Sequence, residues 1–153
     1  MSGAGAPKLQ IDASDLQVAI VVTSWHTNIT DGLLAGAERA LKAAGNSEYE
    51  IWRVPGAFEL PLGAQYAIDA GADVVIALGV VIQGDTPHFD YVCSAATDGL
   101  NRVQLDSGIP VGFGLLTVNT EQQALDRAGL PGSKEDKGAE AVEAAVLMAR
   151  LRA

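Results

Sequence analysis

The residues Gly84-Asp85-Thr86-Pro87-His88-Phe89-Asp90 bring together a proton carrier and a stretch of backbone that can meet an anion. Histidine titrates near neutrality, so His88 can take or give a proton during a reaction. Thr86 is suited to cap a helix and Pro87 to open it, which would leave backbone N–H groups at the helix start free for a phosphate. The preceding run, Val74 to Ile82, is apolar almost throughout and reads as a buried strand. The loop therefore leaves the carboxyl end of a strand, where open α/β sheets hold their ligands. Asp85 is an awkward neighbour: its carboxylate would repel a phosphate unless it points outward and leaves only its N–H at the anion.

Other residues could join this chemistry. Trp25, in the polar stretch Ser24-Trp25-His26-Thr27-Asn28, either offers a flat face for stacking on a ring or caps the core, and the sequence favours neither. Glu59, in Pro55-Gly56-Ala57-Phe58-Glu59-Leu60-Pro61, falls near a helix start, where it can accept hydrogen bonds from hydroxyls or simply cap the helix. Arg127 has a fork suited to phosphate, although a surface pair with Asp126 or Glu135 is the plain alternative. Lys134 and Lys137 follow it closely. Cys93 lies five residues past His88, on a different azimuth of the same helix, which argues against a Cys–His nucleophilic pair and for a small buried residue.

The elements that must position these groups alternate regularly. Val18–Val22 is a strand, and a helix follows over about Ile29–Ala44, closed by Gly45. Tyr49–Val54 is a second strand, and a helix spans Phe58–Ala70. The strand Asp73–Ile82 precedes a helix over Pro87–Asp106, and the strand Val111–Val118 precedes a helix over Glu121–Ala128. A last helix covers Lys137–Arg152. Such alternation implies a parallel four-stranded sheet covered on both faces, a three-layer αβα sandwich of flavodoxin-like outline. The four strand-end loops should then open on one edge of the sheet. Leu9 to Asp12 alternates apolar and polar residues and is set apart by Ala13-Ser14-Asp15. It reads either as an edge strand that pairs with a neighbouring subunit or as a loose terminus.

With 153 residues and 48% hydrophobic content the chain is expected to form a single domain, with residues 1–8 as a flexible arm. Ten Lys and Arg against nineteen Asp and Glu give a formal charge of −9, which argues against nucleic-acid or anionic-membrane partners. A phosphate must be met locally. No apolar run is long enough for a bilayer, and the first residues lack the blocks of a signal peptide, so a cytoplasmic protein is expected. One cysteine excludes an internal disulfide, and with only two histidines neither a structural metal nor a cofactor is expected.

Four blocks carry a resemblance over nearly the whole chain: Gly56 to Pro61, Gly79 to Val92, Asn119 to Ala124 and Asp136 to Ala141. In order and spacing they resemble the 6,7-dimethyl-8-ribityllumazine synthases. That resemblance implies condensation of 5-amino-6-(D-ribitylamino)uracil with 3,4-dihydroxy-2-butanone 4-phosphate, with release of phosphate and water, in the penultimate step of riboflavin biosynthesis. It implies that Trp25 stacks on the ring, and that Ala57, Phe58 and Glu59 hold the ribityl chain and position the pyrimidine. The backbone of Val80, Val81 and Ile82 would read the uracil edge. Asp85 and Thr86 would face the phosphate, His88 would transfer protons and Arg127 would bind phosphate. Phe113 would reach the pyrimidine from a neighbouring subunit, with Lys137 and Asn119 assisting.

Two positions depart from the family pattern. Gln83 stands where arginine is common, removing a cation beside the site, and Asp85 is acidic. Both bear on substrate affinity more than on the reaction. The resemblance further implies homopentamers with sites shared between subunits, which some members assemble into larger shells. The connection from Leu130 to Glu135 reads as longer than in shell-forming members and points to a free pentamer. Three rivals stay open at this stage: a non-catalytic flavin or lumazine binder on the same scaffold, a flavodoxin-like carrier, and a purely structural shell protein.

Overall fold

The computed structural model describes Gly5 and residues 10–152, so most of the expected N-terminal arm, Leu9 included, lies outside the described residues. Four strands form one sheet: β1 (Val18–Thr23), β2 (Glu50–Val54), β3 (Val74–Ile82) and β4 (Val111–Val118). Their order is β2-β1-β3-β4 and every pairing is parallel. The helices are α1 (Thr27–Ala43), α2 (Leu60–Asp69), α3 (His88–Ser107), α4 (Glu121–Leu125) and α5 (Lys137–Arg152), with a single 3₁₀ turn, Ala57–Glu59, ahead of α2.

The near-continuous apolar strands are explained by two cores, one on each face of the sheet. Along β1, Val18, Ile20 and Val22 face one core while Ala19 and Val21 face the other, and β3 divides Ile76 and Leu78 from Val75 and Ala77 in the same way. α1 and α5 cover the first face, with Leu33, Leu41, Val142 and Val146 fully buried. α2 and α3 cover the second with Leu60, Ala64, Ala96 and Leu100. The result is the αβα sandwich expected from the alternation.

The chain runs from β1 outward to β2, then crosses back to β3 on the other side of β1. The order therefore reverses between β1 and β3. α1 leaves β1 toward one face and α3 leaves β3 toward the other, so the two strand-end loops diverge and open a crevice, the position where such sheets bind ligands.

Three local expectations are corrected. The segment after Pro55 begins as a 3₁₀ turn, and α2 proper starts at Leu60 with Pro61 in its first turn. α3 begins at His88, with Pro87 in the cap position and Thr86 Oγ1 taking only a long 3.4 Å bond from the His88 N–H. α4 ends at Leu125 and not Ala128, because the next carbonyls serve another segment. The carbonyl of Asp126 accepts from the N–H groups of Lys134 and Glu135, and that of Arg127 from Lys137. An antiparallel bridge joins Ala128 to Asp136, and Gly129 turns the chain at φ 66°. Gln10 to Asp12, the described part of the segment expected either to pair with a neighbouring subunit or to be a loose terminus, forms no strand pairing among the described residues. Among the described residues no helix is long and apolar enough to cross a membrane.

Candidate active site

A cleft of about 690 Å³ occupies the crevice. Its lining comes from three strand ends: Trp25 and His26 after β1, Gly56 to Glu59 after β2, Val80 to Ile82 at the end of β3, and His88, Tyr91 and Val92 from the first turns of α3. Its volume suits a ligand of two fused rings with a side chain. Small, aliphatic and aromatic residues supply most of the wall, and the polar groups are few.

Each wall has a local cause. Ser24 ties the first loop to the second, its N–H donating to the Pro55 carbonyl at 3.3 Å and its hydroxyl to that of Val54 at 3.0 Å. Trp25 is thereby held at the cleft with 66% of its surface exposed, which favours a ring platform over a cap on the core. The Gly56 N–H donates to Glu59 Oε1 at 3.0 Å, so the Glu59 carboxylate is fixed at the helix start and does serve the capping role. It also lines the cleft. Along α3, His88, Tyr91 and Val92 are spaced i, i+3 and i+4, the spacing that puts side chains on one helical face.

His26 is the single non-glycine residue with positive φ among the described residues, at φ 54° and ψ 61°. Such a backbone costs roughly 1–2 kcal/mol for an L-residue. It is bound into the start of α1: its carbonyl accepts the N–H of Ile29 at 2.9 Å and of Thr30 at 3.0 Å. The Trp25 and His26 rings are tilted by 46° with centroids 6.5 Å apart.

The structure thus brings together Trp25, Ala57, Phe58, Glu59, Val80, Val81, Ile82 and His88. It leaves the others outside this cleft. Asp85 and Thr86 are exposed in the loop beyond Ile82, Phe113 stands out from β4 and Asn119 lies just past its end. Arg127 Nη1 donates to the Gln123 carbonyl at 2.8 Å, with Nε 4.0 Å from Glu135 Oε2. Lys137 lies 3.2 Å from carboxylate oxygens of both Glu135 and Glu140 and is largely covered. The fourth strand end therefore does not join the other three within one chain.

Gly56, His26, Tyr91 and Val92 also line the cleft and were missed as site residues in the sequence. The helical spacing from His88 was the available signal for Tyr91 and Val92; nothing local marked His26. Cys93 is half-buried rather than buried, since α3 fully buries only Ala96 and Leu100. Burial, and then the charge of Asp90, push its thiol above the usual range, which makes it a poor nucleophile.

A doubly covered parallel sheet with an aromatic platform, a histidine and a fixed carboxylate at its reversal point is the arrangement of an α/β protein that holds a small molecule in a strand-end crevice. The profile of 6,7-dimethyl-8-ribityllumazine synthase matches residues 15–153. A 6,7-dimethyl-8-ribityllumazine synthase of Leifsonia xyli is 62% identical over 97% of this chain and 95% of its own length. Those of Kineococcus radiotolerans and a Nocardioides species are each 61% identical, covering 95% and 98% of this chain and 91% and 94% of their own lengths. The chain belongs to the 6,7-dimethyl-8-ribityllumazine synthase family, a family of transferases of riboflavin biosynthesis.

Proposed function

We propose that this chain catalyses the family's reaction, joining 5-amino-6-(D-ribitylamino)uracil to 3,4-dihydroxy-2-butanone 4-phosphate to form 6,7-dimethyl-8-ribityllumazine, phosphate and water. The observation that carries the reading is the convergence of Trp25, Glu59, the Val80–Ile82 strand end and His88 on one cleft. Trp25 stacks on the pyrimidine. Ala57, Phe58 and Glu59 hold the ribityl chain, Glu59 through its carboxylate, and the backbone of Val80 to Ile82 reads the uracil edge. Asp85 and Thr86 approach the phosphate.

The chemistry joins an amine to a ketone with loss of one water, expels phosphate, and closes the second ring through attack of the other nitrogen on the remaining carbonyl, with loss of a second water. None of these steps needs a nucleophile on the protein. Alignment of the two substrates can contribute roughly 7–11 kcal/mol at best. His88, carrying protons between the nitrogens and the departing oxygens, adds about 10²–10⁴-fold. The larger share therefore belongs to proximity, and His88 tunes the rate.

Phosphate binding by Arg127, the pyrimidine contact of Phe113 and assistance from Lys137 and Asn119 are assigned to an adjacent copy in a homopentamer. Three aromatic side chains left open beside the cleft, Trp25, Phe58 and Tyr91 at 66%, 65% and 75% exposure, support a second surface there. The long Leu130–Glu135 connection favours a free pentamer over a closed shell, and the reading carries a cytoplasmic location with it.

The test is to mix purified protein with both substrates and follow lumazine formation spectroscopically against the uncatalysed rate. Acceleration is expected, and His88→Ala should slow it by about 10²–10⁴-fold while leaving measurable turnover. No acceleration by the folded protein would sink the reading. Complete inactivity of a folded His88→Ala variant would overturn the primacy of proximity.

A further inference from the structure

We propose that His26 is a further binding residue of the cleft, its imidazole hydrogen-bonding the polar edge of the heteroaromatic ring that stacks on Trp25. The proposal rests on the reading of the cleft given above. His26 does two separable things. Its backbone makes the left-handed turn that starts α1, and its carbonyl holds the Ile29 and Thr30 N–H groups. That work needs the turn but not an imidazole, and glycine would make the turn without strain. The His26 side chain does not cap the start of α1. A bulky ring kept at a left-handed position, with its helix drawing nothing from that ring, points to a use outside the helix.

The cleft supplies that use. Trp25 and His26 line it together, and both also line a shallower hollow of about 620 Å³ beside Ser24, Thr27, Asn28 and Pro55. They form the rim. The imidazole is tilted 46° from the indole with centroids 6.5 Å apart, so it does not extend the stacking platform but lies beside it on the same cleft, near enough to meet the edge of a ring stacked on Trp25. A pyrimidine or lumazine ring carries its carbonyl oxygens and ring nitrogens on that edge, and an imidazole can both donate to and accept from them. Few other side chains of the lining are polar: Glu59 is fixed on the Gly56 N–H, and His88 and Tyr91 stand on α3.

The test compares the full-length parent with His26→Gly and His26→Asn. Glycine keeps the left-handed turn and removes the ring; asparagine also tolerates the turn and restores a short hydrogen-bonding group. Two readouts are taken: KM for each substrate, and the Kd of the product 6,7-dimethyl-8-ribityllumazine measured by fluorescence. His26→Gly should raise the KM of the ribitylaminouracil and the product Kd by about tenfold, the scale of one lost hydrogen bond. The KM of the butanone phosphate should stay within about twofold, and asparagine should recover part of the loss. Parent-like KM and Kd in His26→Gly would overturn the proposal, as would equal loss for both substrates with no recovery by asparagine, the mark of a merely structural residue. Should His26→Gly fail to fold, His26→Asn decides alone: an unchanged product Kd, or an equal rise in the KM of both substrates, overturns the proposal, and a rise confined to the ribitylaminouracil KM and the product Kd upholds it. A parent that binds the product but forms none would sink the catalytic reading while the Kd comparison still judged His26.

Discussion

Two regions of this molecule carry the residues expected to act on substrate, and they are built differently. The ends of β1, β2 and β3 form one cleft whose walls hold each other: Ser24 is bonded to the second loop, and Glu59 is fixed by Gly56. The edge formed by β4, α4 and α5 carries Phe113, Asn119, Arg127 and Lys137, none of which lines that cleft. Its charged groups are engaged among themselves, Arg127 and Lys137 both drawn toward the nearly buried Glu135. The first region is a pocket without a strong phosphate ligand. The second is a set of cations without a pocket. If one reaction uses both, the second region of one copy must meet the first region of another, and a symmetric ring supplies that contact at every subunit.

The sharpest way to break this division is complementation. His88→Ala disables a residue of the first region and Arg127→Ala one of the second, so each variant alone should be slow at subsaturating substrate. The histidine loss costs about 10²–10⁴-fold, and loss of a charge-assisted bond to phosphate costs about 1.5–3 kcal/mol, roughly ten- to a hundredfold. Co-expressed and randomly co-assembled in equal amounts, the two variants should recover about a quarter of parental turnover, since a quarter of the sites would draw an intact histidine from one copy and an intact arginine from the next. Activity no higher than the mean of the two variants would place both residues in the same chain's site and erase the distinction.

The same division explains how far the sequence could be read. The cleft-forming half was legible because its signals are short in range: apolar strands, Pro55-Gly56, Pro87 ahead of a helix, and aromatic or titratable residues at strand ends. β4 was legible to the residue, Val111–Val118. What failed was long in range. α4 stops early because carbonyls at 126 and 127 are taken by N–H groups at 134, 135 and 137, a pairing that no local window reveals. The left-handed His26 was equally hidden, since glycine or asparagine, not histidine, signals such a turn. Convergence of all four strand ends was expected, and only three converge in one chain, because a sheet order does not say which way an edge strand's loop leans.

A smaller effect sharpens the comparison from the side of stability. Gly138 sits in the first turn of α5, packed so tightly on α1 that a Cβ there would collide with the Leu33 carbonyl oxygen. Gly138→Ala should destabilise the protein by about 1–3 kcal/mol through forced separation of two backbones. It neighbours Lys137 and belongs to the second region. In thermal denaturation the midpoint should fall by several degrees, while binding of the product to the cleft, read by fluorescence, should hold within about twofold. Product affinity lost in step with stability would show that the two regions are mechanically one.

The smallest effect expected is at a position belonging to neither region. Tyr49, just before β2, donates its hydroxyl hydrogen to Glu38 on α1. Burial, then that hydrogen bond, then the carboxylate's charge push the phenol up to about 12. The fold therefore favours the protonated phenol more than the unfolded chain does, where it titrates near its ordinary value of 10. The stability this adds is complete below about pH 10 and is lost as pH rises from there toward about 12. Tyr49→Phe should remove that alkaline slope and cost only about 0.5–1.5 kcal/mol at neutral pH, because the half-exposed Glu38 can be rehydrated. Chemical denaturation of both proteins between pH 8 and about 12 would show the two stabilities converging as the phenol ionises, and a constant gap would refute the assignment. Turnover at neutral pH should not change, since this contact joins β2's entry to α1 on the side of the sheet away from the cleft's α3 wall. A loss of turnover would mean that the cleft depends on the packing of α1 beyond the His26 turn that starts it.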